Sequence, residues 1–158
     1  MKNSKIFRKK TGIFCFAAVM ALGLSGCKDK SPLDPKDPVS LTVWHYYNGS
    51  QQAAFDALVE EFNDTTGREK GVYVQGFSQG SVSDLETAVR DSIEGKVGAE
   101  AMPDIFSSYA DTAYEVEQAG ALADLSAYLN ETELEQYVDS YIEEGRIASD
   151  GSLRIFPT

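Results

Sequence analysis

From Leu41 onward, short β-branched or aromatic runs alternate with helical apolar stripes, and this alternation limits the chain to a small set of folds. Leu41-Thr42-Val43-Trp44-His45-Tyr46 has strand composition, and Asn48-Gly49-Ser50 behind it supplies turn and capping residues. A helix then starts near Ser50, with Phe55, Leu58, Val59 and Phe62 on one stripe and a stop at Gly67. Val72-Tyr73-Val74 is the second strand. Ser83 and Glu86 have capping-box spacing, and Leu85, Ala88, Val89 and Ile93 carry the next stripe to Gly95. Met102 to Phe106 reads as a third, short buried strand entered through Pro103, and Tyr109 to Gln118 as a helix closed by Gly120. Asn130 and Glu133 repeat the capping-box spacing ahead of an apolar face of Leu134, Tyr137, Val138, Tyr141 and Ile142. Asp150-Gly151, between Ile147 and Leu153, predicts a hairpin. Strands separated by helices of this length imply an α/β fold, a mostly parallel sheet covered on both faces.

The chain before this region has a different character. Lys2, Lys5, Arg8, Lys9 and Lys10 form a basic head, Ile13 to Leu24 an apolar core, and Leu24-Ser25-Gly26-Cys27 closes the segment. That order is the pattern of a secretory signal peptide over residues 1–26, and the core is shorter than the roughly 20 apolar residues a membrane span needs. The closing tetrad resembles a bacterial lipobox. The resemblance implies that Cys27 becomes the first mature residue and carries diacylglycerol on its sulfur, so that lipid alone holds the protein to the outer face of the membrane. Residues 27–40 then hold the lipidated cysteine and a polar stretch with Pro32, Pro35 and Pro38, a tether that could reach on the order of 40 Å when extended.

Loss of the leader would remove Cys15, leaving Cys27 without a disulfide partner. It would also remove five basic residues and no acidic ones, moving the net charge from −11 to roughly −16. A surface so acidic repels nucleic acid and anionic lipid, which argues against a polyanionic partner.

In a parallel sheet, ligands bind beyond the carboxyl ends of the strands. Those ends carry Trp44 to Ser50, Ser78 to Ser81 and Ser107 to Asp111, rich in rings, amides and hydroxyls. With the lipobox-like tetrad, Leu41 to Trp44 and the helix behind it, Met102-Pro103-Asp104-Ile105-Phe106, and Ala123-Asp124-Leu125, these residues resemble the first lobe of an extracellular solute-binding protein of family 1, the sugar-type lipoprotein receptor of an ABC importer. The resemblance implies a periplasmic-binding-protein-like (type II) first lobe over residues 41–158, ending where the chain would cross to a second lobe. It further implies a protein, expected as a monomer, that binds a solute, a sugar by preference, and docks on ABC permease subunits without chemical turnover; one histidine, no second mature cysteine and no acidic loop of EF-hand order leave no metal or cofactor expected. By position, Trp44, His45, Tyr46 and Asn48, then Gln79 and Ser81, then Tyr109 and Asp111 would contact the ligand, rings stacking on sugar C–H faces and polar groups taking hydroxyls. For Trp44, core packing is an equal alternative.

Enzyme chemistry has little to stand on. His45 is the single histidine, no G-x-S-x-G occurs, and the stretch from Gly76 to Gly80 lacks a phosphate-loop lysine. A glycan hydrolase using Asp104 and Asp111 as paired carboxylates, and an adhesive lipoprotein with no small ligand, are the competing readings.

Overall fold

The computed structural model describes residues 33–157, which fold around a three-stranded sheet. Strand β1 (Val39–His45) is central, flanked by β2 (Val72–Ser78) and β3 (Ile105–Phe106), both parallel to it. The pairing runs from Val39 opposite Val72 to His45 opposite Ser78, and Trp44 lies opposite Phe106. β1 starts two residues earlier than the apolar pattern predicts, because Val39 N–H donates to Gly71 C=O at 3.0 Å and so enters the ladder. β2 runs four residues past Val74, through Gly76, where a Cβ would press on the Phe55 ring at 2.9 Å.

Helices lie on both faces of the sheet at β1, as its alternation requires, while Tyr73, Gln75 and Phe77 leave one face of β2 exposed. Trp44 faces one side and packs in the core with Leu85 and Val89 of α3 (Val82–Ile93) and Val116 of α4 (Ala110–Gln118). His45 faces the other side, 4.5 Å by ring centroids from Phe55 of α1 (Gly49–Phe62). α1 does not end at Gly67. It continues through a π-helical turn (Asn63–Gly67) into α2 (Arg68–Lys70), and the left-handed Gly71 closes it. The widened turn brings the Asn63 side chain to the free edge of β2, where its amide donates to Val74 C=O and its carbonyl accepts from Val74 N–H, both at 2.8 Å. Of the predicted stripe, Phe55, Val59 and Phe62 are half-buried while Leu58 is 64% exposed, since one edge strand cannot cover the whole stripe.

The third strand is shorter and more open than expected. Only Ile105 and Phe106 join the ladder, and Ile105 is half exposed at the sheet margin. The strand is fastened by Asp104, whose carboxylate accepts from Thr42 N–H at 2.8 Å and Thr42 Oγ1 at 2.9 Å. The helix before it is capped by Ser81, whose Oγ accepts from Asp84 N–H at 3.1 Å, and not by the similar Ser83–Glu86 pair; left-handed Gly80 delivers Ser81 in the extended conformation a cap needs. The Asn130–Glu133 capping box is present in both directions, but the helix it starts, α5 (Glu131–Leu134), stops after one turn. The predicted continuous face breaks there and resumes in α6 (Asp139–Glu144), leaving Tyr137, Val138 and Tyr141 exposed.

No hairpin forms at Asp150-Gly151. The turn exists, with Gly151 N–H on Ala148 C=O, but Arg154 and Ile155 N–H both donate to Gly145 C=O, and Leu125 N–H donates to Leu153 C=O. The arm after the turn thus pairs with the end of α6 and with the 3-10 turn at Leu125–Ala127, sealing Leu153 completely. At the other end of the chain, Asp34 to Asp37 forms a small turn seated on Gly71, so residues 34–38 belong to the folded body instead of extending as tether.

Candidate functional site

Parallel register delivers the three strand exits to one rim. Gln79 N–H donates to His45 C=O at 2.8 Å and Ser107 N–H to Trp44 C=O at 2.9 Å, so the loops after β2 and β3 both leave alongside the end of β1. The first two loops are also tied to each other. Asn48 Nδ2 donates to Gly80 C=O at 3.1 Å, and Ser78 Oγ donates to Tyr47 C=O at 2.6 Å while accepting from Gly80 N–H. Each loop runs directly into a helix, with Asn48, Ser81 and Tyr109 as the three N-cap residues. Neither Asn48 nor Tyr109 caps its helix with its own side chain.

The eight predicted contact residues divide by burial. Tyr46 and Gln79 are half-buried, and Asn48, Ser81, Tyr109 and Asp111 are exposed on this rim or just beyond it, Tyr109 at 60%. Trp44 and His45 are in the interior, 4% and 1% exposed, because the last two residues of a central strand point into the two packed faces. Ser81 is engaged as a helix cap and also donates to Asp84 Oδ2 at 2.6 Å. Asp111 accepts from Thr112 N–H at 2.8 Å, the hydrogen bond of a first-turn carboxylate. Tyr47 was not singled out by the sequence pattern, yet its ring stacks on His45 at 5.2 Å and lies 5.2 Å from Tyr46. The run of four aromatic rings from Trp44 to Tyr47 was the available signal: past the strand end, alternation stops and consecutive rings can share a side.

Burial holds the His45 imidazole below its ordinary pKa, against the opposing pull of Asp56, and Nδ1 accepts from Tyr47 N–H at 3.2 Å, so the neutral ring carries its proton on Nε2. Nε2 lies in the core without a hydrogen-bond partner. Asp104 is held below the usual carboxylate range by its hydrogen bonds from Thr42, the opposite of what a general acid requires. It sits at the entry of β3 and Asp111 beyond the exit, so the two carboxylates do not face each other across a rim. Among the described residues no group of three or more His, Cys, Asp or Glu could hold a metal ion, and no helix is long and apolar enough to cross a membrane.

A parallel α/β lobe with ring- and amide-bearing loops gathered at the strand exits has the fold of the extracellular solute-binding proteins. No family model matches the chain, and no curated protein is significantly similar to it. Among solved structures, the cyclic α-maltosyl-1,6-maltose binding protein from Arthrobacter globiformis is similar over 73% of this chain and 27% of its own, with a TM-score of 0.56 and 28% identity. A maltose/maltodextrin-binding domain from Bdellovibrio bacteriovorus bound to maltotriose gives 0.56 at 15% identity, over 73% of this chain and 27% of that one. A family 1 extracellular solute-binding protein from Bifidobacterium longum subsp. infantis gives 0.54 at 15% identity, over 75% and 27%. The latter two establish likeness of fold alone. The chain spans about 27% of the length of each of these proteins.

Proposed function

We propose that this chain forms one wall of a carbohydrate-binding site in a lipid-anchored, extracellular solute-binding protein that passes its ligand to the permease of an ABC importer. The observation that carries this reading is the joining of the strand exits: Asn48 bonded to Gly80, Ser78 to Tyr47, and the third loop held beside Trp44. Tyr46, Tyr47 and Tyr109 offer faces for sugar C–H surfaces, and Asn48, Gln79 and Asp111 offer groups for hydroxyls. Trp44 and His45 act from behind, packing the floor on which Tyr46 and Tyr47 rest. The similarity to an α-maltosyl-maltose binding protein at 28% identity supports an oligosaccharide of glucose as the ligand class.

A single wall leaves its ligand partly in water, so affinity for the chain alone should be weak, on the order of millimolar. Titration of the full chain with maltotriose, followed by NMR shifts, should move Asn48, Gln79 and Tyr109 resonances without consuming the sugar. Shifts confined to other faces, or released glucose, would overturn the reading. Cleavage before Cys27 and its lipidation are tested by mass spectrometry of the mature amino terminus.

A further inference from the structure

We infer that His45 makes ligand binding at the rim proton-sensitive: the uncharged ring fastens the turn that presents Tyr46 and Tyr47, and a proton on Nδ1 releases that turn and the ligand with it. This rests on the rim being the sugar site proposed above and supplies its regulation. His45 is the single histidine of the chain, 1% exposed at the last position of β1, where the first loop of the rim begins.

Tyr47 is held through both of its backbone groups. Its N–H donates to His45 Nδ1 at 3.2 Å, and its C=O accepts from Ser78 Oγ at 2.6 Å. Its ring stacks on the imidazole at 5.2 Å, and Tyr46 lies against Tyr47 at the same centroid separation. The placement of both tyrosine faces therefore depends on one nitrogen lone pair. A proton on Nδ1 turns that acceptor into a donor aimed at another donor, so the bond from Tyr47 N–H is replaced by a repulsion.

The core offers the resulting cation no relief. Nε2 is buried without a hydrogen-bond partner among the described residues, and a Cβ on Gly76 would lie 3.5 Å from it, so the backbone of β2 closes that side. Phe55 of α1 closes another, with its ring 4.5 Å from the imidazole. A charged ring enclosed with both N–H groups unpaired is strongly disfavoured. Few polar groups face it: α1 brings the exposed Asp56 carboxylate, β2 brings Gly76 and Ser78, which do not titrate, and the loop itself brings the phenols of Tyr46 and Tyr47. Burial outweighs the attraction of Asp56, so the ring stays uncharged to a lower pH than a free histidine. Once protonated, it gains partners only by turning toward solvent and Asp56, and the stacked Tyr47 moves with it.

Binding and protonation then exclude each other. Affinity should be level above about pH 6.5 and weaken by about tenfold per pH unit once the medium is more acidic than the midpoint of His45 itself. The test titrates the full chain, free of any histidine tag, with maltotriose by NMR across this range, following the His45 ring as the one imidazole signal while Trp44 emission reports the fold. By reciprocity, excess maltotriose should move the His45 midpoint to lower pH. The variant D56N, which removes the carboxylate that favours the charged ring, should move that midpoint and the acid limb of binding downward together. An unchanged His45 midpoint in excess sugar, an acid limb that stays in place in D56N while the midpoint moves, or affinity lost only where Trp44 emission shows the whole fold opening, overturns the switch and leaves the sugar site standing. Absence of maltotriose shifts at every pH overturns the sugar reading and the switch together.

Discussion

Replacing Gly71 by alanine tests how the amino-terminal turn is built into the fold. Gly71 has φ +79°, a conformation that costs a side-chain-bearing residue about 1 kcal/mol or somewhat more. The new methyl group would also lie 2.5 Å from Asp34 O and 2.7 Å from Pro35 N, and backbone cannot swing aside as a side chain can. Overpacking of that kind costs about 1–3 kcal/mol unless the turn lifts away. Gly151 is the matched control, since its φ is +77° and nothing lies within 4 Å of an added Cβ. Gly151→Ala should therefore carry only the conformational cost, and Gly71→Ala should exceed it by about 1–3 kcal/mol. Urea unfolding of the full chain can be followed through Trp44, the single tryptophan and a buried one. The two midpoints should differ by about 1 M at equal slope. If the turn lifts instead, trypsin should cut after Lys36 faster in Gly71→Ala than in the parent. Equal midpoints together with unchanged cleavage at Lys36 would refute the seating of the turn.

Three further outcomes are expected. Leu85→Ala, at a position 2% exposed between Trp44, Val89 and Val116, should destabilise by about 3 kcal/mol in the same urea assay. His45 resists protonation in the folded state while the unfolded chain takes a proton near pH 6.5, so stability should be full above that pH and decline as pH falls through it; His45→Gln should flatten this limb between pH 7.5 and 5.5. Tyr109→Ala should change unfolding by less than about 0.5 kcal/mol because the ring is largely exposed, yet weaken maltotriose binding several-fold by NMR titration.

The first half of the fold is legible in the sequence because local signals there agree with the tertiary result. Strand composition up to His45, turn residues at Asn48 to Ser50 and the stripe through Leu85 and Val89 each find the partner that their periodicity asks for. Where two local signals compete, the sequence does not decide. Ser81–Asp84 and Ser83–Glu86 have the same spacing, and only the left-handed Gly80 selects the former. The Asp150-Gly151 turn is real, but its hairpin loses to the Gly145 carbonyl, a partner that only the packed end of α6 brings within reach. The rim is legible as three loops, because parallel strands must share an exit side. Which rings face outward is not, since Trp44 and His45 are enclosed by helices that follow much later or on the opposite face.

The Asn63 side chain has a consequence for a protein crowded with copies of itself. Its single amide stands in for a neighbouring strand, occupying both backbone groups of Val74 that would otherwise invite one. A second molecule approaching that margin finds the middle of the template already filled, so fibre-like stacking between copies cannot zip along it. The one-residue swelling of a helix thus acts as a guard against self-association, and Asn63→Leu should show it as turbidity on concentration.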